Sequence, residues 1–261
     1  MTPTEQQKAI LECRENLVVI AAPGSGKTFV LSEKIKNDIK ELLDYQGIIA
    51  ISYTNKASLE LKNRSLANGI SPKSSFFGTI DKFCIQDIII PFGSLMQEKK
   101  TFDNLIIRSM NNSERSQLGQ VEKREKIEYN HMDIILSLLE ANIILIECIG
   151  ILANYIFDNS KACRSYLKSR YKYLYVDEYQ DTNEAQYIFS KMLCAKYKNI
   201  FVVGDNDQAI YAFRGANYKN ILNFEKDYPD AITIMLEENY RSTKTILNAA
   251  NSVIKHNKMR K

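Results

Sequence analysis

The feature that most constrains this chain is the join between Leu17–Ala21 (LVVIA) and Ala22–Thr28 (APGSGKT). LVVIA is a short continuous apolar run, the pattern of a parallel strand buried on both faces. A Gly-rich turn follows, and then a helix-like stretch from Lys27 to Leu43. Gly24 and Gly26 let successive backbone N–H groups turn inward and cradle anionic oxygens. A helix N-terminus adds partial positive charge at the same place. The order strand, loop, helix predicts phosphate binding by Ala22, Pro23, Gly24, Ser25, Gly26, Lys27 and Thr28. Lys27 is suited to the β- and γ-phosphates and Thr28 to Mg²⁺. The commonest form of this loop opens on glycine, where this chain has Ala21. The loop alone does not separate kinase, transporter ATPase and helicase.

The rest of the chain extends the same alternation. Short apolar runs at Gly47–Ser52, Ser75–Phe77, Tyr173–Val176, Ile200–Val203 and Ala231–Met235 read as further strands. Helices are expected over Glu5–Leu11 with Thr4 as N-cap, Lys56–Leu66, Ile80–Ile90 ended by Pro91, Glu184–Lys196, Tyr218–Lys226 and Thr243–His256. Strands alternating with helices imply an α/β domain with a mostly parallel sheet. The stretch from about Phe92 to Arg170 breaks the alternation. It starts polar, turns apolar and helical, and reads as an inserted, mostly helical subdomain.

Composition sets limits rather than a function. A chain of 261 residues, 45% hydrophobic and 25% charged, suits one large soluble domain or two small ones. A net charge of +4 permits a nucleic-acid partner without requiring one. Cys13, Cys84, Cys148, Cys163 and Cys194 include no CxxC pair, so neither a disulfide framework nor a zinc site is expected and a reducing, cytoplasmic setting is. The most apolar stretch, Ile134–Phe157, is interrupted by Glu140, Asn142, Glu147 and Asn154, which suits buried helices rather than a membrane span. His131 and His256 are isolated and read as surface or packing residues; Glu122–Lys126 (EKREK) reads as a solvated face.

Two further segments carry chemistry. Tyr173–Gln186 reads YLYVDEYQDTNEAQ, setting Asp177 and Glu178 at the C-terminal end of a strand, the edge where open α/β sheets bind ligands. Asp177 is suited to hold Mg²⁺, and Glu178 to orient and deprotonate an attacking water. Val203–Ala216 reads VGDNDQAIYAFRGA. Gln208 can hydrogen-bond a γ-phosphate or the attacking water. Tyr211 and Phe213 beside Arg214 are the kind of group on which a single DNA strand stacks. Lys27 and Asp177 are 150 positions apart, more than one α/β layer needs, and the excess matches the helical insertion.

Taken in order, these segments resemble the UvrD/Rep family of superfamily 1 helicases. TEQQKAI is similar to the family's adenine-reading glutamine motif, which implies Gln6 on the adenine. SYTNKASLELKNR (Ser52–Arg64) resembles TFTNKAA, implying Thr54, Asn55 and Lys56 near DNA. GTIDKFC (Gly78–Cys84) aligns with GTFHSFC, implying Thr79 in the DNA site but with Asp81 in place of histidine, an unfavourable neighbour for a phosphate. LEENYRST (Leu236–Thr243) resembles the opening of the second motor domain, implying Tyr240 stacked on adenine and Arg241 at the γ-phosphate. The resemblance implies a RecA-like P-loop fold, with residues 1–91 and 171–238 forming the ATP-binding domain, 92–170 inserted, and 239–261 opening the second domain. It implies ATP and Mg²⁺ as ligands, single-stranded DNA as partner, and movement in the 3′→5′ direction. The family's later motifs do not occur before Lys261, so weak ATP binding and slow turnover are expected of these residues alone.

Three readings stay open at this stage. One is the N-terminal portion of a helicase. Another is an ATP-gated DNA-binding module completed by a second polypeptide, or working with a nuclease, for example in phage defence. A P-loop kinase is the third, although Gln208, Phe213, Arg214 and the NYRST segment have no role in it. The short insertion leans towards a compact, specialised member, and repair, replication and antiviral defence are not separated.

Overall fold

The computed structural model describes residues 3–96, 102, 104–119, 131–194, 199–209, 216–217 and 219–254. Six strands form one parallel sheet: β1 (Leu17–Ala21), β2 (Gly47–Ile51), β3 (Phe76–Gly78), β6 (Tyr171–Val176), β7 (Ile200–Gly204) and β8 (Ile232–Leu236), in the order β3-β2-β6-β7-β1-β8. All six expected strands are present, with ends shifted by a residue or two. β1, β2 and β7 lie inside the sheet, and their near-continuous burial explains why they read as unbroken apolar runs.

Side chains alternate across the sheet and build a core on each face. Leu17, Val19, Ile48 and Tyr175 pack with Ile10 from helix Glu5–Glu12 and with Val30, Leu31, Ile35 and Ile39 from helix Lys27–Glu41. Val18, Ile49, Leu174, Val176 and Val202 face the other way, towards Phe83, Ile88 and Phe189. That second cluster continues without a break into Leu139, Ile144, Leu152 and Ile156 of the stretch between β3 and β6. Each such side chain, once fully buried, contributes roughly 1.5–3 kcal/mol.

The inserted stretch is mostly helical, with helices Asn112–Leu118, Met132–Glu140, Ile149–Asn159 and Lys161–Arg170. It also holds a short parallel pair, β4 (Ile106–Arg108) with β5 (Ile143–Leu145), that the sequence reading did not anticipate. Pro91 does not end the preceding helix. A wide π turn covers Cys84–Ile89, and the chain stays helical through Ile90–Phe92 and Gly93–Met96. The wide turn relieves the clash a proline ring makes with the carbonyl four residues back, so the helix continues. The expected helix over Tyr218–Lys226 is two short turns, Lys219–Leu222 and Phe224–Asp227, and Glu122–Lys126 and His256 lie outside the described residues.

Two buried ionic networks fasten the sheet to its helices. Asp38 accepts from Arg14 at 3.1 Å, from Lys34 at 3.5 Å and from the Tyr175 hydroxyl. Asp87 accepts from Arg170 at 3.0 Å and from the Tyr171 hydroxyl at 2.7 Å, with the Arg170 guanidinium over the Tyr171 ring. Burial and the neighbouring Asp38 carboxylate hold the Tyr175 phenol well above its ordinary range. No helix among the described residues is long and apolar enough to cross a membrane.

Candidate functional site

The loop after β1 has the backbone that its glycines predict. Gly24 and Gly26 sit at φ +73° and +90°, a region that penalises any side chain. Ser25 is buried, and its Oγ has no hydrogen-bond partner among the described residues. Helix Lys27–Glu41 opens directly on the loop with no side-chain cap, leaving its first N–H groups for a ligand. Ala22, Pro23 and Thr28 lie along the same turn, half-buried to exposed.

The acid segment stands opposite. Lys27 Nζ is 3.5 Å from Glu178 Oε2, which brings together two residues 151 positions apart in the chain. Glu178 is held at φ +52°, left-handed backbone on a residue with a full side chain. Such strain costs about 1–3 kcal/mol and persists only where the surroundings impose it. Asp177 is pushed up to about 7, by burial first and then by the adjacent Glu178 charge, with Lys27 opposing. Asp181 is pushed up to about 6 for the same reasons in the same order.

A chain of hydrogen bonds that the sequence reading did not assign leads away from Glu178. Gln180, fully buried, donates to Glu178 Oε2 at 2.8 Å and accepts from the Asp205 backbone N–H at 3.0 Å. Asp205 in turn accepts from Gln208 Nε2 at 2.6 Å. The acid loop is thereby wired to the start of the VGDNDQ segment. On the far side of that segment Ala216 bridges to Asn183, and the Asn217 N–H donates to the Thr182 carbonyl at 3.0 Å. Tyr211, Phe213 and Arg214 lie between, outside the described residues.

The other expected contacts fall as follows. Gln6 is half-buried on the first helix, whereas its neighbour Gln7 reaches the phosphate loop, donating to the Ser25 carbonyl at 3.5 Å. Thr4 and Gln7 form a reciprocal cap that fixes this helix end. The segment after β8 packs on the loop from above: Tyr240 N–H donates to the Gly24 carbonyl at 2.9 Å, and the Asn239 side chain donates to the Pro23 carbonyl. Tyr240 is half-exposed and Arg241 exposed. Thr54 and Thr79 each cap a helical turn at the ends of β2 and β3, and Asn55 and Lys56 are exposed on the first turn of helix Asn55–Ser65. Gln7, Gln180 and Asn239 had a sequence signal only as neighbours of motif residues.

Comparison with known proteins places the chain among relatives by sequence. The family model for the UvrD/REP helicase N-terminal domain matches residues 2–131 and 92–229. The ATP-dependent DNA helicase PcrA of Staphylococcus aureus is 36% identical over 301 aligned residues, covering 99% of this chain and 40% of that protein. PcrA of Staphylococcus epidermidis is 35% identical with the same coverage. The chain thus spans about 40% of the length of these curated relatives. The crystal structure of Pif1 helicase from Candida albicans superposes with a TM-score of 0.48 at 15% identity, covering 97% of this chain and 44% of that one.

Proposed function

This chain belongs to the UvrD/REP helicase family, and on that premise we propose that it is the ATP-hydrolysing, DNA-engaging portion of a motor that moves 3′→5′ along single-stranded DNA. The observation that carries the reading is the Lys27–Glu178 pair, which sets a phosphate-binding cation against a carboxylate at one sheet edge. When the γ-phosphate arrives it competes for Lys27 and releases Glu178. The freed carboxylate, still held by Gln180, takes a proton from a water in line with that phosphate. The change reaches Gln208 through Gln180 and Asp205, at the start of the segment that carries Tyr211, Phe213 and Arg214. Gln6 and Tyr240 bracket the adenine, and Arg241 supplies positive charge at the γ-phosphate. Thr54, Asn55, Lys56 and Thr79 hold the DNA backbone.

Thr28 and Asp177 are the residues that would hold Mg²⁺. The half-buried Asp177 carboxyl, pushed up by desolvation and then by the adjacent Glu178 charge, suits a cation, and the orphaned Ser25 Oγ in the loop suits a phosphate oxygen. When bound, the ion neutralises charge on the β- and γ-oxygens.

The test is steady-state ATPase of the 261-residue chain with and without oligo-dT, alongside Lys27→Ala and Glu178→Gln. Turnover that rises with oligo-dT and disappears in both variants supports the reading. Turnover indifferent to DNA, or unchanged in both variants, removes it.

A further inference from the structure

Both ends of one side-chain amide, that of the half-buried Asn239, are engaged where the segment after β8 meets the phosphate loop. Its Oδ1 accepts from the Arg241 N–H at 3.0 Å and from the Ser242 N–H at 2.7 Å. That is the turn an asparagine makes with its own backbone two residues on. Its Nδ2 donates to the Pro23 carbonyl, 216 positions back in the chain. A local turn and a long-range tie are thus carried by one planar group.

The loop has room for this tie and for little else. A Cβ on Gly24 would stand 2.6 Å from Asn239 Nδ2 and 2.8 Å from Arg241 Cβ. Glycine is therefore needed here for the approach of Asn239 and Arg241 as well as for its φ of +73°. The Tyr240 N–H bond to the Gly24 carbonyl, at 2.9 Å, holds the segment close but leaves it one axis to pivot on. The Asn239 amide adds a second point and removes the pivot. Arg241 leaves the chain inside this clasp, exposed and free at its tip. On so long a side chain, the direction of the Cα–Cβ bond decides which atoms the guanidinium fork can meet.

We propose that Asn239 is the positioning residue for Arg241: it orients the arginine from the phosphate loop itself, and through it sets how well the site tells a nucleoside triphosphate from a diphosphate. The inference rests on the reading of Arg241 at the γ-phosphate and deepens it.

The test is a titration of the 261-residue chain with fluorescent ADP and a fluorescent non-hydrolysable ATP analogue, both with Mg²⁺. Four proteins are compared: the unsubstituted chain, Arg241→Ala, Asn239→Ser and the double variant. Serine keeps an acceptor for the local turn and is too short to reach Pro23. Arg241→Ala is expected to cut the preference for the triphosphate about tenfold, the loss of a charge-assisted contact. Asn239→Ser removes most of the same preference with ADP affinity within about twofold, and the double variant is no worse than Arg241→Ala. A serine variant that keeps the preference, weakens both nucleotides alike, or adds its full loss to that of Arg241→Ala overturns the proposal and leaves the Arg241 reading standing. Arg241→Ala without effect removes that reading and the proposal with it. Binding of neither nucleotide removes the ATP-site reading and everything resting on it.

Discussion

The phosphate loop and the carboxylate-lined cavity sit side by side along one sheet edge, and they are opposites. The loop offers donors: turned-in N–H groups around Gly24 and Gly26, an uncapped helix start, and Lys27. The cavity, about 380 Å³ at the ends of β2, β3 and β6, gathers carboxylates: Asp81, Asp181 and the shared pair Asp177–Glu178. One half suits a polyanion and the other is lined by carboxylates. The difference follows from where each gets its groups. Backbone donors come from one short stretch, whereas the acceptors are side chains gathered from segments near 52, 80, 147 and 180. Glu178 belongs to both halves, so a change on one side is felt on the other.

The sharpest way to break this contrast is at that shared residue. Glu178→Gln should lower kcat by about 10²–10⁴-fold while nucleotide still binds, as measured by ATPase alongside a fluorescent-nucleotide titration. A variant retaining half the original turnover would mean that the carboxylate is not the base. Lys27→Ala should cost about 10²–10³-fold in turnover and weaken nucleotide binding, with oligonucleotide affinity kept. Parallel loss of DNA binding would show that the two halves are not separable.

Gln180→Ala acts on the wire between the shared residue and Asp205. We expect kcat to fall about 10–100-fold with KM within about twofold, because orientation is lost rather than substrate contact. A rise in KM with kcat preserved would place Gln180 in binding instead.

The smallest effect is in stability. Asp181 in the folded chain holds its proton up to about 6, above the usual carboxyl value of 3.8. The stability this proton brings is present below pH 4 and is lost as pH rises through 6. Asp181→Asn should therefore raise Tm by a few degrees at pH 8 and leave it unchanged near pH 4. Equal shifts at both pH values would remove burial of this charge as the cause.

Legibility in the sequence followed the same division. β1, the loop and β6 are continuous patterns, and their strand ends and motif residues were readable directly. β4 and β5 are three-residue strands with exposed Ile106 and Ile107, too short and too mixed for periodicity to reveal. Pro91 reads as a helix stop because the rule assumes ordinary α turns upstream, and the π turn removes that assumption. The Gln7 contact with Ser25 is a matter of helix phase, which one residue of offset changes by about 100°, and it is distinct from the adenine contact expected of Gln6. The cavity has no contiguous signature at all.

Gly150 gives the fold a mechanical property. A Cβ there would come within 2.7 Å of the Ala185 Cβ, so helices Ile149–Asn159 and Glu184–Cys194 cross almost backbone to backbone. Asn154, completely buried, stitches the crossing by donating to the Gly150 carbonyl at 2.8 Å and the Ala185 carbonyl at 3.0 Å. A joint with so little slack works as a rigid crank. The helix that begins just after Asp181 and Thr182 cannot turn without swinging the inserted helix with it. Any turn of the acid-loop helix would therefore be handed to the inserted helix rather than taken up between them.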